Sequence, residues 1–446
     1  MNRLLFLITF LLFVSACQET DKTYLTKVED ADYLHRSVNK LTDVIVYDIF
    51  SPPVASRIYA YPAIAAYETL RMGHTDDYKS LAGQLTDFKA IPQPIEENIS
   101  FPIASVQAYL TVGKTLIFSE DKITEFENEL LGDFKDLGVP KKVQERSIAY
   151  GNQVAQHILA WADKDNYKQT RTFPKYNVNS DTWRWIPTPP DYMDGIEPSW
   201  SKIRPFVIDS SSQFVPPPPP DYTMDEDSEF YQDVMEVYKA VKDASEDHTA
   251  IASFWDCNPY VSHHRGHVMF ATKKITPGGH WIGITNIATK KAKSTMMETV
   301  AAYALTSIAL ADGFISCWDE KYRSNLIRPE TVINRHIDPD WLPLLQTPPF
   351  PEYTSGHSVI SSAASVALTS IYGDNFAFID STEVAYGLPA RSFDSFYDAA
   401  DEAAISRLYG GIHYMPAITY GVAQGKKVGN YVIDNIQMKK SKMAEK

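Results

Sequence analysis

Apolar residues recur three and four apart along most of the chain, and no stretch alternates apolar and polar residues over a strand's length. Val54 to Arg71 sets Ala, Ile and Tyr on one helical face, and Lys142 to Asp163 repeats the pattern after the break Leu137-Gly138-Val139-Pro140. Met297 to Cys317 is apolar on nearly all sides. Length alone would let it cross a membrane, but Thr306, Ser307 and Asp312 interrupt it, so it reads as a buried core helix. Ser358 to Tyr372, Ala399 to Tyr409 and Ala417 to Asn435 complete the pattern. The expected fold class is all-α, helical bundles in an N-terminal part (30–163) and a C-terminal part (225–440).

Residues 164–224 interrupt the helices. Pro187, Pro189, Pro190, Pro198, Pro205 and the run Pro216 to Pro220 exclude helix, because proline lacks a donor and clashes with the preceding turn. A linker between domains is one reading. Trp183, Trp185 and Trp200 favour the other, an ordered belt over the helices, since such rings gain from burial.

The 446 residues are 44% hydrophobic and 22% charged, a globular composition with enough chain for a deep core. A formal net charge of −14 argues against nucleic acid and against a cationic grip on lipid. Any basic pocket must then be local. The N-terminus reads Met1-Asn2-Arg3, a mostly apolar run from Leu4 to Val14, then Ser15-Ala16-Cys17. That is a secretory signal, too short for a permanent span. Val14-Ser15-Ala16-Cys17 resembles a bacterial lipobox; the other reading is an ordinary signal with a chance cysteine. The expectation is an exported lipoprotein in the periplasm or at the cell surface. Residues 1–16 are removed, Cys17 carries the lipid, and 18–29 form a polar tether. Contact with the membrane is through that lipid alone. Cys257 and Cys317 can pair in an oxidising compartment or remain free and buried.

Three segments carry candidate chemistry. Lys321 and Arg328 are seven apart; on one helix they share a face, and Pro329 would end that helix. Alone, the pair reads as a solvated basic face. Glu352-Tyr-Thr-Ser355-Gly356-His357 precedes an apolar helix, with Thr354 or Ser355 as its cap and free N–H groups that suit an anion. Ser406-Arg407-Leu-Tyr-Gly410-Gly411-Ile-His413 ends a helix at its glycines and returns His413 toward Arg407. Together they bring three cations, a helix N-terminus and two histidines. Cations buried without an anion cost several kcal/mol each, at order of magnitude, so a tetrahedral oxyanion is implied.

These motifs resemble the acid phosphatase and vanadium haloperoxidase superfamily: Lys-x6-Arg-Pro, Ser-Gly-His and Ser-Arg-x5-His match Lys321, Arg328-Pro329, Ser355-Gly356-His357, Ser406-Arg407 and His413. The belt residues Trp185 to Pro190 and Pro198 to Trp200, together with Trp318 and Phe350, resemble the haloperoxidase branch. The lipobox and Thr354-Ser-Gly-His look most like its bacterial iodoperoxidases. The resemblance implies a vanadate cofactor held by Lys321, Arg328, Ser355, Gly356 and Arg407, with His413 bound to the metal. His357 would take a proton from hydrogen peroxide, and Lys321 would polarise it. Trp318, Phe350 and Tyr260 would border the halide site. The substrates would be hydrogen peroxide and halide, iodide most readily and bromide second. Thr354 stands where proline is usual. Ala417 stands where phosphatases carry the aspartate that orients their histidine, which weakens the phosphatase alternative, in which His413 would be the nucleophile. Two further readings stay open: a ligand-binding surface lipoprotein, given the 12% aromatic content, and a divalent-metal site on a helical face at His263, His264 and His267, whose other reading is structural.

Overall fold

A computed structural model describes residues 23–440 except 266–267, and omits the side chains of 263–271. The signal segment, Cys17, the first residues of the expected tether and the three histidine side chains lie outside the described residues.

The expected tether is already folded by its second half. Helix α1 (Tyr24–Lys27) buries Tyr24, and Val28 follows it into the core. Five longer helices follow: α2 (Asp32–Tyr47), α3 (Pro52–Arg71), α4 (Phe101–Thr115), α5 (Glu120–Asp136) and α6 (Lys141–Ala162), then the short α7 (Tyr167–Thr170). Helix α3 starts on a Ser51 cap with Pro52 and Pro53 behind it, where proline's missing donor costs nothing. The C-terminal part holds α8 (Glu229–Lys242), α9 (Glu246–Phe254), α10 (Pro277–Ala292), α11 (Met296–Ser324), α12 (Pro329–His336), α13 (Gly356–Tyr372), α14 (Phe396–Tyr409) and α15 (Met415–Asn435). The architecture is all-α, as expected, with two small antiparallel ribbons that the periodicity did not announce: β1 (Ser262–Arg265) with β2 (Val268–Ala271), and β3 (Phe378–Asp380) with β4 (Arg391–Phe393). His263 and His264 therefore sit on a strand and not on the helix supposed for them.

Helix α11 is the axis. It is long and apolar enough to cross a membrane, yet it is buried within the bundle, packed by α3, α10, α13 and α15. Its N-terminus is closed by a capping box in which Thr295 and Glu298 exchange hydrogen bonds. Asp312, which had read as an interruption, is a clamp: its carboxylate accepts N–H bonds from Phe206, Val207 and Ile208 at 2.7, 2.7 and 3.0 Å. The Pro-rich segment is thereby fixed to the central helix. Trp185 and Trp200 are buried, whereas Trp183 stays 37% exposed.

Helices α13 and α15 pack so closely because α15 presents glycines every fourth residue. A Cβ on Gly425 would lie 2.1 Å from the Val359 carbonyl oxygen, and one on Gly429 would lie 2.9 Å from that of Ala363. Only bare backbone fits there, and it brings the start of α13 against the start of α15, where the Ser355 N–H donates to the Ala417 carbonyl at 3.0 Å.

Candidate active site

Lys321 is on the last turn of α11, but Arg328 is not on that helix. The helix ends at Ser324 because Asn325 turns into the left-handed region, φ 53°. Arg328 caps the next helix, and Pro329 opens α12 at the position proline prefers. The seven-residue spacing works through a bend. The belt holds that bend: Trp185 N–H donates to the Asn325 carbonyl and Ile327 N–H to that of Trp183, each at 2.9 Å.

The structure brings all the expected oxyanion residues together. Lys321 is fully buried; its Nζ donates to the carbonyls of Pro351 and Glu352 at 3.0 Å and of Thr354 at 2.6 Å. Arg328 donates through Nε to Phe350 O at 2.9 Å and through Nη1 to Ile412 O at 2.7 Å. Arg407 donates through Nη1 to Trp255 O at 2.6 Å. Arg328 Nη2 and Arg407 Nε are buried without partners among the described residues. Ser355 caps α13 by accepting from Ser358 N at 3.3 Å, and among the described residues none accepts the Gly356 N–H. Orphaned donors cost free energy unless a guest accepts them. Burial pushes Lys321 down to about 7 and Arg328 to about 10, so the cluster as it stands disfavours its own charge. A multiply charged oxyanion restores it. Gly356 has an ordinary helical backbone, and a Cβ there would sit 3.9 Å from Lys321 Cε, inside the space beside the ammonium.

His413 is fixed from both sides. Its Nε2 lies 3.1 Å from Arg328 Nη1, and its Nδ1 lies 2.7 Å from Glu352 Oε1. Arginine only donates, so Nε2 carries the lone pair and Nδ1 the proton. Burial first, then the surrounding cations, hold this imidazole neutral, well below its usual range. His357, on the first turn of α13, has its Nε2 3.2 Å from Arg407 Nη1, and burial with that guanidinium keeps it unprotonated too.

The sequence reading missed Glu352. Its side chain is buried, and burial raises its carboxyl to about 7 against the pull of Arg328 and Lys321. It also accepts the Tyr414 N–H at 3.0 Å. It supplies the carboxylate whose absence at Ala417 had counted against an oriented histidine. The signal was a lone acid within Pro348-Pro349-Phe350-Pro351-Glu352, three residues before the capping serine.

Trp318, Phe350 and Tyr260 line the same cavity as Gly356, His357, Arg407 and His413. Phe350 lies 5.0 Å from both the Lys321 ammonium and the Arg328 guanidinium, and 5.0 Å from the Trp318 ring. The Trp318 indole donates to Ile196 O of the belt at 3.2 Å. The free volume is about 30 Å³, well below the ~150 Å³ that holds benzene. It suits inorganic species. Cys257 and Cys317 are both free and buried, so the pairing left open by the sequence does not occur.

Comparisons with known proteins agree. A family model described as the VCPO second helical-bundle domain matches residues 301–441. No curated protein sequence matches the chain. The crystal structure of the first bacterial vanadium-dependent iodoperoxidase superposes with a TM-score of 0.88 at 54% identity, over 93% of this chain and 98% of that one. A holo-type bacterial vanadium-dependent chloroperoxidase superposes at 0.64 with 17% identity, over 87% of this chain and 93% of that one, which speaks to the fold. Identity at that first level over nearly the whole length, with the basic pocket intact, shows that the chain belongs to the vanadium-dependent haloperoxidase family.

Proposed function

We propose that the protein is a vanadate-dependent haloperoxidase that oxidises iodide with hydrogen peroxide and a proton to hypoiodous acid and water. The observation that carries this reading is the convergence of buried Lys321, Arg328 and Arg407 on a neutral imidazole oriented by Glu352. That donor set suits an oxyanion whose central atom also takes a nitrogen ligand. Lys321, Arg328, Arg407, Ser355 and the Gly356 N–H would hold the vanadate oxygens, and His413 Nε2 the metal. Vanadate, when bound, supplies a Lewis acid that activates peroxide without changing its own oxidation state.

The chain's own groups set the rest. Glu352 keeps the proton on His413 Nδ1, so Nε2 presents a lone pair, now facing Arg328 Nη1, that a metal can take. His357 is unprotonated, with its lone pair on the Arg407 side of the cavity, and takes the proton that hydrogen peroxide loses. The Lys321 ammonium draws electron density from an oxygen placed beside it, and iodide attacks there. Trp318, Phe350 and Tyr260 give iodide, the most polarisable and easily oxidised of the three halides, an aromatic wall. The narrow cavity leaves halogenation of an organic acceptor to the released hypohalous acid.

The test is iodide oxidation by hydrogen peroxide in vanadate-stripped protein, with and without added orthovanadate. Turnover that appears only with vanadate supports the reading; no turnover with vanadate, or equal turnover without it, overturns it. The reading extends to location. The leader and Val14-Ser15-Ala16-Cys17 support export and lipid anchoring at Cys17. Cys17→Ala should release the enzyme from the membrane fraction, and a variant that stays bound would refute the anchor.

A further inference from the structure

Behind the pocket wall lies a buried cluster that the oxyanion chemistry does not use. Cys257 follows α9, His280 is on the first turn of α10, and Glu383 lies in the loop after β3. Cys257 Sγ is 3.4 Å from His280 Nδ1 and 3.8 Å from Glu383 Oε1, and the last two atoms are 3.1 Å apart. A tetrahedral zinc with bonds of about 2.0–2.3 Å requires ligand-to-ligand edges of roughly 3.4 Å for N···O and 3.6 Å for the two that involve sulfur. The three atoms already stand within a few tenths of an ångström of those edges. The other imidazole nitrogen, Nε2, is 2.7 Å from Asp380 Oδ2, and Asp380 itself accepts the Thr382 N–H at 2.9 Å. A carboxylate on the far nitrogen is the arrangement that orients a metal-binding histidine. Thiol, imidazole and carboxylate come from three separate elements, all are buried, and their ligand atoms all lie within 4.8 Å of one another.

We propose that Cys257, His280 and Glu383 bind a zinc ion, with Asp380 positioning His280. Zinc is the divalent ion that this mixed sulfur, nitrogen and oxygen set selects by chemistry and geometry. Binding displaces the Cys257 thiol proton and the His280 Nδ1 proton, while the Nε2 proton stays on the Asp380 side. Three side chains leave the fourth tetrahedral position to a water, and the role proposed for the ion is to hold the pocket wall. The Trp255 ring stacks on His280 with centroids 4.5 Å apart, the Trp255 carbonyl holds Arg407, and Cys257 lines the oxyanion cavity. The ion ties the wall that carries Tyr260 and holds Arg407 through the Trp255 carbonyl to α10 and to the loop after β3.

The experiment uses the full chain, stripped of metal and titrated with cobalt(II) and then with zinc. The expected result is about one equivalent bound per chain, with a thiolate-to-cobalt charge-transfer band and strong visible bands of a tetrahedral centre, which zinc abolishes. Cys257→Ser should lose the charge-transfer band while the helical circular dichroism stays unchanged. Asp380→Asn should weaken zinc about 10–100-fold. Wild-type protein without the charge-transfer band, or stoichiometric zinc that persists unaltered in Cys257→Ser, as binding by His263, His264 and His267 would give, overturns the proposal. Neither readout depends on iodide turnover.

Discussion

Two buried clusters stand back to back across the Trp255 to Tyr260 segment, and they are electrical opposites. In front, Lys321, Arg328 and Arg407 outnumber the carboxyl groups set against them, Glu352 beside His413 and Asp256 near Arg407. Behind, Asp380, Glu383 and the Cys257 thiol surround His280. Both histidines are buried, which by itself lowers an imidazole. Arg328 and its neighbours push His413 further down, whereas Asp380 overrides burial and lifts His280 well above the usual value. The same side chain in the same interior responds in opposite directions, and the sign of the surplus buried charge tells which guest each cluster takes: an oxyanion in front, a cation behind.

The strongest way to break this comparison is His413→Ala. It removes the imidazole proposed to bind the metal in front, so vanadate binding and triiodide formation should fall to background while metal binding at Cys257 should continue. Retained peroxidase activity would end the assignment. Glu352→Gln is a finer probe. It keeps the volume but loosens the tautomer of His413, and the vanadate Kd measured by equilibrium dialysis should rise about 10–100-fold. An unchanged Kd would show that Glu352 positions nothing. Gly425→Ala separates the clusters mechanically. Its Cβ meets the Val359 carbonyl, so α13 and α15 must part, at a stability cost of about 1–3 kcal/mol read by thermal denaturation. Neither helix supplies the rear cluster, whose cobalt spectrum should not change. The smallest effect is protonic. Burial lowers Lys321 from its unfolded value to about 7, so its contribution to ligand-free stability is present in alkali and lost as pH falls through about 7. An oxyanion restores the ammonium, and binding near pH 8 should take up about one proton, measured by calorimetry in two buffers of different ionisation enthalpy.

The cationic residues of the front cluster were legible because each sits in a motif whose neighbours have local meaning: a serine cap before Gly356, paired glycines after Arg407, a proline after Arg328. How they converge was less legible. Lys321 and Arg328 were assigned to one helix, since helical spacing explains seven residues, but Asn325 ends that helix and the belt pins the bend. Glu352 escaped notice because nothing local marks an acid that acts on a histidine sixty-one residues away. Asp312 was visible as a flaw in an apolar run; its partners, Phe206 to Ile208, lie in a segment without periodicity. Gly421, Gly425 and Gly429 were in plain view at helical spacing, and they state the approach of α13 and α15 directly. The rear cluster was illegible: Cys257, His280 and Glu383 share no motif and meet only through the tertiary fold.

The tight inorganic cavity has a chemical corollary. The free volume of about 30 Å³ beside Trp318, Phe350 and His413 is smaller than an aromatic ring or an alkene needs, so an organic acceptor should meet hypoiodous acid only after its release, without guidance from the protein over regiochemistry or handedness. Phenols should be iodinated where they are most electron-rich, as mixtures of positional isomers, and prochiral alkenes should give racemates.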